Sequence, residues 1–236
     1  MAITDLYSMT TMLINSDFSQ PSIVAPEQYR WVASPQEGVE RVMLDRLGGE
    51  NGRATSIVRY ARASDFPLHL HPGGEEIFVL SGVFTEGAES YPAGWYIRNP
   101  PGSSHQPSSN EGAIIFVKLW QMPGCDGSSV RINTNDPSIW LSFKNGETCP
   151  LYEDSFEKVS IERINDGQPL FTMPVDGAEI LILTGQLCLG AQQYRRGSWI
   201  RLPSGEYPEY IAGKNGVTLY LKTGHLATLS NGVGVC

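Results

Sequence analysis

The sequence has 236 residues, enough for one large β domain or two small ones with a core that needs no disulfides. A formal net charge of −8 and the absence of a Lys/Arg run argue against a nucleic-acid partner. No apolar run approaches the ~18 residues of a membrane span, and the N-terminal residues do not read as a signal peptide. We therefore expect a cytoplasmic protein with no membrane partner.

Short β-branched and aromatic segments, separated by turn residues, follow one another along the chain. In chain order the clearest are SIVRY at 56–60, IFVL at 77–80, WYIRN at 95–99, IIFVKLW at 114–120 and ILIL at 180–183. The 25 Gly and 16 Pro supply the turns, and only 18% of residues are charged. This pattern predicts an antiparallel sandwich or barrel, since amphipathic helices would need more charge.

An internal repeat organises these segments. GGEEIFVLSG at 73–82 resembles DGAEILILTG at 176–185, and AGWYIRNPPG at 93–102 resembles RGSWIRLPSG at 196–205, both at an offset of 103 residues. A third block, which starts at Gly112, matches the block from Gly216 at an offset of 104. The chain is therefore predicted to contain two related units.

The repeat and the composition together suggest boundaries for the units. We predict a first unit at 1–122 with lead-in strands, a connector at 123–150, a second unit at 151–228 and a tail at 229–236. The connector is rich in Gly, Ser, Asn, Asp and Pro, with one strand expected at about 139–143.

Three of the four histidines lie in the first unit, in the pattern His69-x-His71-x3-Glu75 followed by His105. Residues i and i+2 of a strand project to the same face, so His69 and His71 can face one point. The Pro-Gly-Gly turn at 72–74 lets a carboxylate return toward that point. Three neutral imidazoles and one carboxylate suit Zn, Fe, Mn, Ni or Cu.

The repeat helps to choose between two adjacent glutamates. Glu76 is retained as Glu179, whereas Glu75 becomes Ala178. The three histidines also change together, to Thr172, Pro174 and Pro208. We therefore assign Glu75 to the metal and Glu76 to the fold, and we expect the second unit to be metal-free.

Two further groups of residues are candidates for other roles. Glu76 with Arg98 and Glu179 with Arg201 are retained as couples, so each couple is predicted to form a structural ion pair. Four aromatic residues on predicted strands could line a substrate pocket, although aromatic residues on strands more often belong to the core. They are Tyr60, Trp95, Tyr96 and Phe116.

The metal pattern resembles the two motifs of the cupin superfamily. The first reads Ala63-x5-His69-x-His71-x3-Glu75-x6-Gly82, with Ala63 in place of the leading Gly; the second reads Gly94-x5-Pro100-x-Gly102-x2-His105, with Ser109 in the Asn position. The resemblance implies an all-β bicupin of two tandem conical antiparallel β-barrels (double-stranded β-helix), with the metal inside the first barrel.

A closer resemblance is to the ChrR cupin-like family, and it is carried by FPLHLHPGGEEIFVLSGVF, YPAGWYIRNPPGSSHQP and LKTGHL. This family is named for an anti-sigma factor whose cupin domain binds zinc and responds to singlet oxygen. The resemblance implies zinc first, with Fe, Mn or Ni as alternatives, and a sensor that meets a small ligand or oxidant at the metal. The helical anti-sigma domain, with its His and CxxC pair, has no counterpart before His69, so we expect no sigma-factor partner.

The alternative function is a non-haem metal-dependent dioxygenase of the acetylacetone or quercetin type, acting on a small diketone or enediol. A metal-dependent isomerase or lyase is a weaker third option. The sequence leaves open whether the chain is an enzyme, and whether it forms a homodimer.

Overall fold

A computed structural model of the chain describes residues 12–49, 51–205, 207 and 209–227. These residues form 21 strands and two single 3-10 turns, at Pro26–Gln28 and Pro137–Ile139. Within this part of the chain, no helix has the length and hydropathy needed to cross a lipid bilayer. The predicted all-β architecture is confirmed.

The strands range from two to 15 residues in length and pair in an antiparallel manner. In the N-terminal half they are β1 (Leu13–Ile14), β2 (Ser22–Val24), β3 (Val32–Ala33), β4 (Val39–Leu47), β5 (Arg53–Tyr60), β6 (Ser64–Asp65), β7 (His69–His71), β8 (Glu75–Glu86), β9 (Glu89–Pro92), β10 (Trp95–Asn99), β11 (Ser103–His105), β12 (Pro107–Ser109) and β13 (Ala113–Leu119). In the C-terminal half they are β14 (Val130–Asn133), β15 (Leu141–Phe143), β16 (Gly146–Glu153), β17 (Lys158–Ile164), β18 (Val175–Leu189), β19 (Gln192–Arg195), β20 (Trp199–Gly205) and β21 (Tyr210–Thr223).

Two large sheets correspond to the two repeated units. The first has the order β1-β4-β5-β13-β8-β10-β14, and the second has the order β15-β16-β17-β21-β18-β20-β2. The interior strands β8 and β18 carry the IFVL and ILIL runs, which are largely buried because side chains pack against both of their faces. A separate two-stranded sheet of β7 and β11 accompanies the first unit.

The outermost strands next to β10 and β20 are exchanged between the two halves of the sequence. β2 comes from the N-terminal lead-in but pairs with β20 of the second sheet, where Ile23 lies opposite Ile200. β14 comes from the connector but pairs with β10 of the first sheet, where Arg131 lies opposite Ile97. Each sheet is therefore completed by a strand from the other half.

The repeated glycines are explained by a tight bend at the same place in both units. Gly82 and Gly185 each have φ +72°, a left-handed conformation that favours glycine. A Cβ at Gly82 would collide with the carbonyl oxygen of Gly112, and a Cβ at Gly185 would collide with that of Gly216. Only glycine satisfies both conditions.

The buried apolar residues form one cluster within each unit and a third cluster between the units. Strand alternation separates them. On β13, Ile115 and Val117 belong to the cluster of the first unit, whereas Phe116 packs between the units against Tyr220, at 5.1 Å between ring centroids. The two halves therefore share a core.

Candidate metal centre

Three short elements bring the predicted metal ligands together. β7 and β11 pair with His69 opposite His105 and with His71 opposite Ser103. After β7 the chain turns at Gly74, whose φ is +73° and whose amide donates to the His71 carbonyl at 3.1 Å. This turn places Glu75 at the start of β8, facing the histidines.

The four side chains converge on one point in the first unit. Nitrogen atoms of His69, His71 and His105 all lie within 4.8 Å of one another. The Oε2 atom of Glu75 lies 3.5 Å from Nε2 of His71 and 3.4 Å from Nε2 of His105. The structure thus brings these four residues together, and the donor set is the mixed nitrogen and oxygen type that divalent metals accept.

The other ring nitrogens fix how two of the imidazoles face this point. Nδ1 of His69 donates to the Pro67 carbonyl at 2.9 Å, and Nδ1 of His105 donates to Oε1 of Glu86 at 2.5 Å. A carbonyl can only accept, so the Nδ1 of His69 carries the hydrogen and its Nε2 keeps a lone pair for a metal. The residues present therefore fit a divalent ion.

Burial sets the protonation of the cluster. It lowers the pKa of His71 to about 4 and lowers the pKa of His69 as well. Burial also raises the pKa of the Glu75 carboxyl. For His105, burial lowers the pKa, but the hydrogen bond to Glu86 and the negative charges of Glu75 and Glu86 together outweigh burial, and the resulting pKa lies above its ordinary value. Neutral His69 and His71 are the forms that can bind a metal.

Glu86, at the end of β8, is a functional candidate that the sequence reasoning missed. It accepts hydrogen bonds from Asn99 Nδ2 and Arg131 Nη2, both at 2.8 Å, in addition to the bond from His105. Arg131 also donates to Asn99 Oδ1 at 2.6 Å, which ties the group together. This network orients the His105 ring from behind.

The repeat contained a signal for Glu86. At the offset of 103, Glu86 corresponds to Leu189 and Asn99 corresponds to Leu202. Both polar residues are therefore lost in the second unit, as the four ligands are. The joint loss of Glu86 and Asn99 is the same kind of signal that singled out Glu75 and the three histidines.

A cavity of about 330 Å³ lies beside the cluster and is lined by His69, His71 and Glu75. Its other walls include Tyr60 and Phe66, so it is mainly apolar with a few polar groups. Such a site can accept a small molecule next to the histidines.

The structure places the four aromatic pocket candidates in different environments. Tyr60 lines the cavity beside the histidines. Trp95 packs against Tyr91, at 5.4 Å between ring centroids. Tyr96 and Phe116 are buried in the cluster between the units, because strand alternation on β10 and β13 turns them away from the first unit's interior.

Glu76 faces away from the four candidate metal ligands, into a buried set of charges that spans both units. Arg98 Nη1 lies 3.4 Å from its Oε2, but Lys222 Nζ from the second unit lies closer, at 2.7 Å. Glu157 bridges the two cations, 2.9 Å from Arg98 and 2.8 Å from Lys222. Burial raises the pKa of Glu76, but Lys222 and Arg98 outweigh burial and hold it at about 2.

Glu179 and Arg201 are cross-strand neighbours, yet their charges have other partners. Lys118 of the first unit binds Glu179, and Asp45 of the first unit lies 2.9 Å from Arg201. The predicted couple therefore needs correction: each member is neutralised by a charge from the opposite unit, because the shared core brings that charge nearer.

The second unit has an apolar interior where the first has its four candidate metal ligands. Ala178, which replaces Glu75, is fully buried among apolar side chains such as Ile180 and Leu202. Pro208, which replaces His105, lies outside the described residues. Among the residues the structure describes, both groups of side chains able to hold a metal ion lie in the first unit.

Comparison with solved structures shows the same fold in several proteins. A candidate dioxygenase from Nostoc punctiforme is 17% identical with a TM-score of 0.69, covering 87% of this chain and 82% of that one. The nickel(II) complex of the pirin YhhW from Escherichia coli is 12% identical with a TM-score of 0.62, covering 86% and 98%. An oxalate decarboxylase mutant from Bacillus subtilis is 10% identical with a TM-score of 0.59, covering 86% and 76%.

Comparison with protein families identifies the segment that carries the cluster. The model of the ChrR Cupin-like domain matches residues 19–123, which include all four candidate ligands. No curated protein matches the sequence. The predicted resemblance is confirmed for residues 19–123, which match the ChrR Cupin-like domain, and the chain shares its fold with the solved structures named above.

Proposed function

We propose that the chain binds one divalent metal ion, with zinc as the preferred metal, through His69, His71, Glu75 and His105. We propose that this metal has a regulatory role. The convergence of three imidazoles and one carboxylate within a few ångströms is the observation that carries the proposal. We propose further that a small ligand or oxidant reaches the metal through the adjacent cavity.

The ligand set supports an accessible metal. Structural zinc sites are usually closed and rich in cysteine, whereas this cluster has no cysteine and borders a cavity. A bound M²⁺ supplies positive charge that attracts an anionic oxygen or an oxidant. The chain's own residues hold the imidazoles in place through Pro67 and Glu86, and Tyr60 and Phe66 shape the space beside them.

The binding proposal is tested by metal analysis of protein purified without added metal. We expect one zinc per chain, which His71→Gln and Glu75→Gln remove while the circular dichroism spectrum stays that of the parent. Glu89→Gln is the matched control, because Glu89 is an exposed carboxylate on β9, the strand that forms a hairpin with the Glu75 strand β8. Metal retained by both site variants would refute the assignment.

The sensor role is tested separately with the zinc-loaded protein. Singlet oxygen, generated by illuminated rose bengal, should release zinc into a chromophoric chelator, because oxidation of a ligand imidazole removes its lone pair. Release from Glu89→Gln should match the parent, and a dark sample should show none. Zinc that stays bound after illumination would exclude this oxidant as the signal.

A second candidate function is a dioxygenase, which the cavity of about 330 Å³ beside His69 favours. The fold shared with a protein named as a candidate dioxygenase supports the same interpretation. The discriminating experiment loads the protein with Fe(II) and measures dioxygen consumption with acetylacetone or quercetin. Consumption that disappears in His71→Gln favours the enzyme; no consumption with either substrate leaves the regulatory proposal standing.

A further inference from the structure

A second cavity, separate from the metal cluster, lies between the two units. Its volume is about 440 Å³, and its walls come from both sheets, from the lead-in and from the connector. None of the four candidate metal ligands lines it. Ligand sites occur preferentially at such interfaces between units, and this one belongs to neither barrel interior. We name it the interunit cavity.

Aromatic side chains held in fixed positions form its walls. Trp31 lies under the Arg59 guanidinium, 4.2 Å from the ring centroid, and Trp140 lies under Arg163 at 3.6 Å. Trp140 Nε1 also donates to the Thr134 carbonyl at 2.9 Å. Indoles restrained in this way present flat apolar surface at low entropic cost to an aromatic ligand.

The charged side chains that line the interunit cavity are all cationic. The chain has a net charge of −8, yet the interunit cavity is lined by Arg163 and Arg196 and by no carboxylate. Arg163 is already paired with Glu147 at 3.1 Å. Arg196 is exposed at the cavity, and no described residue pairs with it. A guanidinium in this position can bind an anionic group by charge-assisted hydrogen bonds.

The Arg196 guanidinium has no counterpart at the equivalent position of the first unit. At the repeat offset of 103, Arg196 corresponds to Ala93, which also lines the cavity. The glycines that follow these two residues, Gly94 and Gly197, are both retained. The walls from the two units thus retain the same glycine but differ in charge. Because the cation lies on one wall, an anionic ligand is held in one orientation.

We propose that the interunit cavity binds a small planar aromatic anion, with its ring against the tryptophans and its acidic group on Arg196. The proposal is independent of the metal site. A ligand in this position contacts both units, so its binding stabilises the folded chain by mass action.

The test uses 2-naphthoate as the probe and isothermal titration calorimetry on the full chain. We expect saturable binding with a stoichiometry of one. Arg196→Gln should weaken it roughly tenfold, as expected for loss of a hydrogen bond to a charged group. Arg195→Gln is the matched control, because Arg195 is exposed, lies outside the cavity and pairs with Glu27 at 3.2 Å. It should change affinity less than about twofold.

Two further measurements locate the probe. Thr184 is exposed on β18 and lines the cavity, so Thr184→Trp should block it and abolish binding without disturbing the core. Neutral 2-naphthalenemethanol should bind the parent about as weakly as 2-naphthoate binds Arg196→Gln. Absence of saturable binding, equal affinity of the two arginine variants, or loss of binding after EDTA strips the metal would each overturn the proposal.

Discussion

At the scale of single residues, the arrangement of the candidate metal ligands depends on the Glu86 carboxylate, which is not one of the four. Glu86 accepts from the Nδ1 of His105 at 2.5 Å, and this bond turns the Nε2 toward His71 and Glu75. Arg131 and Asn99 hold Glu86 in place in turn. Residues of this kind typically affect metal affinity 10–100-fold.

We therefore expect Glu86→Gln to lower zinc affinity roughly 10–100-fold while the stoichiometry stays at one. The amide keeps the shape of the side chain but lacks the charge that favours the Nδ1–H form of His105. Competition with a chromophoric chelator measures the affinity, and Glu89→Gln serves as the control. An affinity equal to that of the parent would show that Glu86 does not position His105.

His225 is a second residue with a measurable consequence. It is buried beside Glu179, with its Nε2 3.2 Å from Oε2, and burial lowers its pKa to about 3. The folded protein therefore keeps His225 neutral at pH values where the unfolded chain protonates it, below its reference pKa of ~6.5. Its contribution to stability is present above that pKa and is lost as pH falls toward 3.

The expected slope is about 1.4 kcal/mol per pH unit from this residue between pH 6 and pH 4. Urea unfolding of the chelator-treated protein at several pH values measures it. His225→Gln should show a shallower pH dependence than the parent by one proton, because glutamine does not titrate. Parallel slopes would show that His225 is protonated equally in both states.

At the scale of elements, the glycine at the central bend of each sheet makes a specific demand on the backbone. Gly82 and Gly185 combine φ +72° with a carbonyl oxygen that leaves no room for a Cβ. Gly87 also has a positive φ, +60°, but a Cβ added to it would meet no atom within 4 Å.

These three glycines separate conformational strain from steric collision. Gly82→Ala and Gly185→Ala should each reduce the free energy of unfolding by about 2 kcal/mol or more, whereas Gly87→Ala should cost about 1 kcal/mol from φ alone. Urea unfolding at neutral pH measures all three. A loss at Gly87 as large as that at Gly82 would assign the whole effect to φ.

The elements also show which parts of the structure the sequence could predict. The repeat and the His69-x-His71-x3-Glu75 spacing are short-range patterns, so fold class and candidate cluster were accessible from them. The exchange of β2 and β14 could not be predicted from the sequence, because these strands have only three and four residues and pair with strands distant in the sequence. The repeat likewise shows that Glu179 is retained, but not that Lys118 reaches it from the other unit.

At the scale of the whole molecule, the two units share buried charges as well as a core. Lys118 is almost fully buried and binds Glu179 across the junction, and Lys222 does the same with Glu76. Removing one member of a buried pair leaves the other charge uncompensated, which typically costs 3–5 kcal/mol.

We expect Lys118→Met to lower the free energy of unfolding by about 3–5 kcal/mol. Adding Glu179→Gln should recover part of this loss, with a coupling energy of about 1–3 kcal/mol in a double-mutant cycle measured by urea unfolding. Both variants should still unfold in one transition, since the units share a core. Additive losses would show that the two charges do not interact.

Because β2 and β14 are exchanged, the two halves of the chain should stay associated even when the peptide chain between them is cut. If a protease cuts the loop at 124–129, the N-terminal fragment keeps β2 in the second sheet and the C-terminal fragment keeps β14 in the first. The cleaved protein should run as two bands on a reducing denaturing gel and as a single peak of unchanged volume in gel filtration, because each fragment remains interlocked with the other.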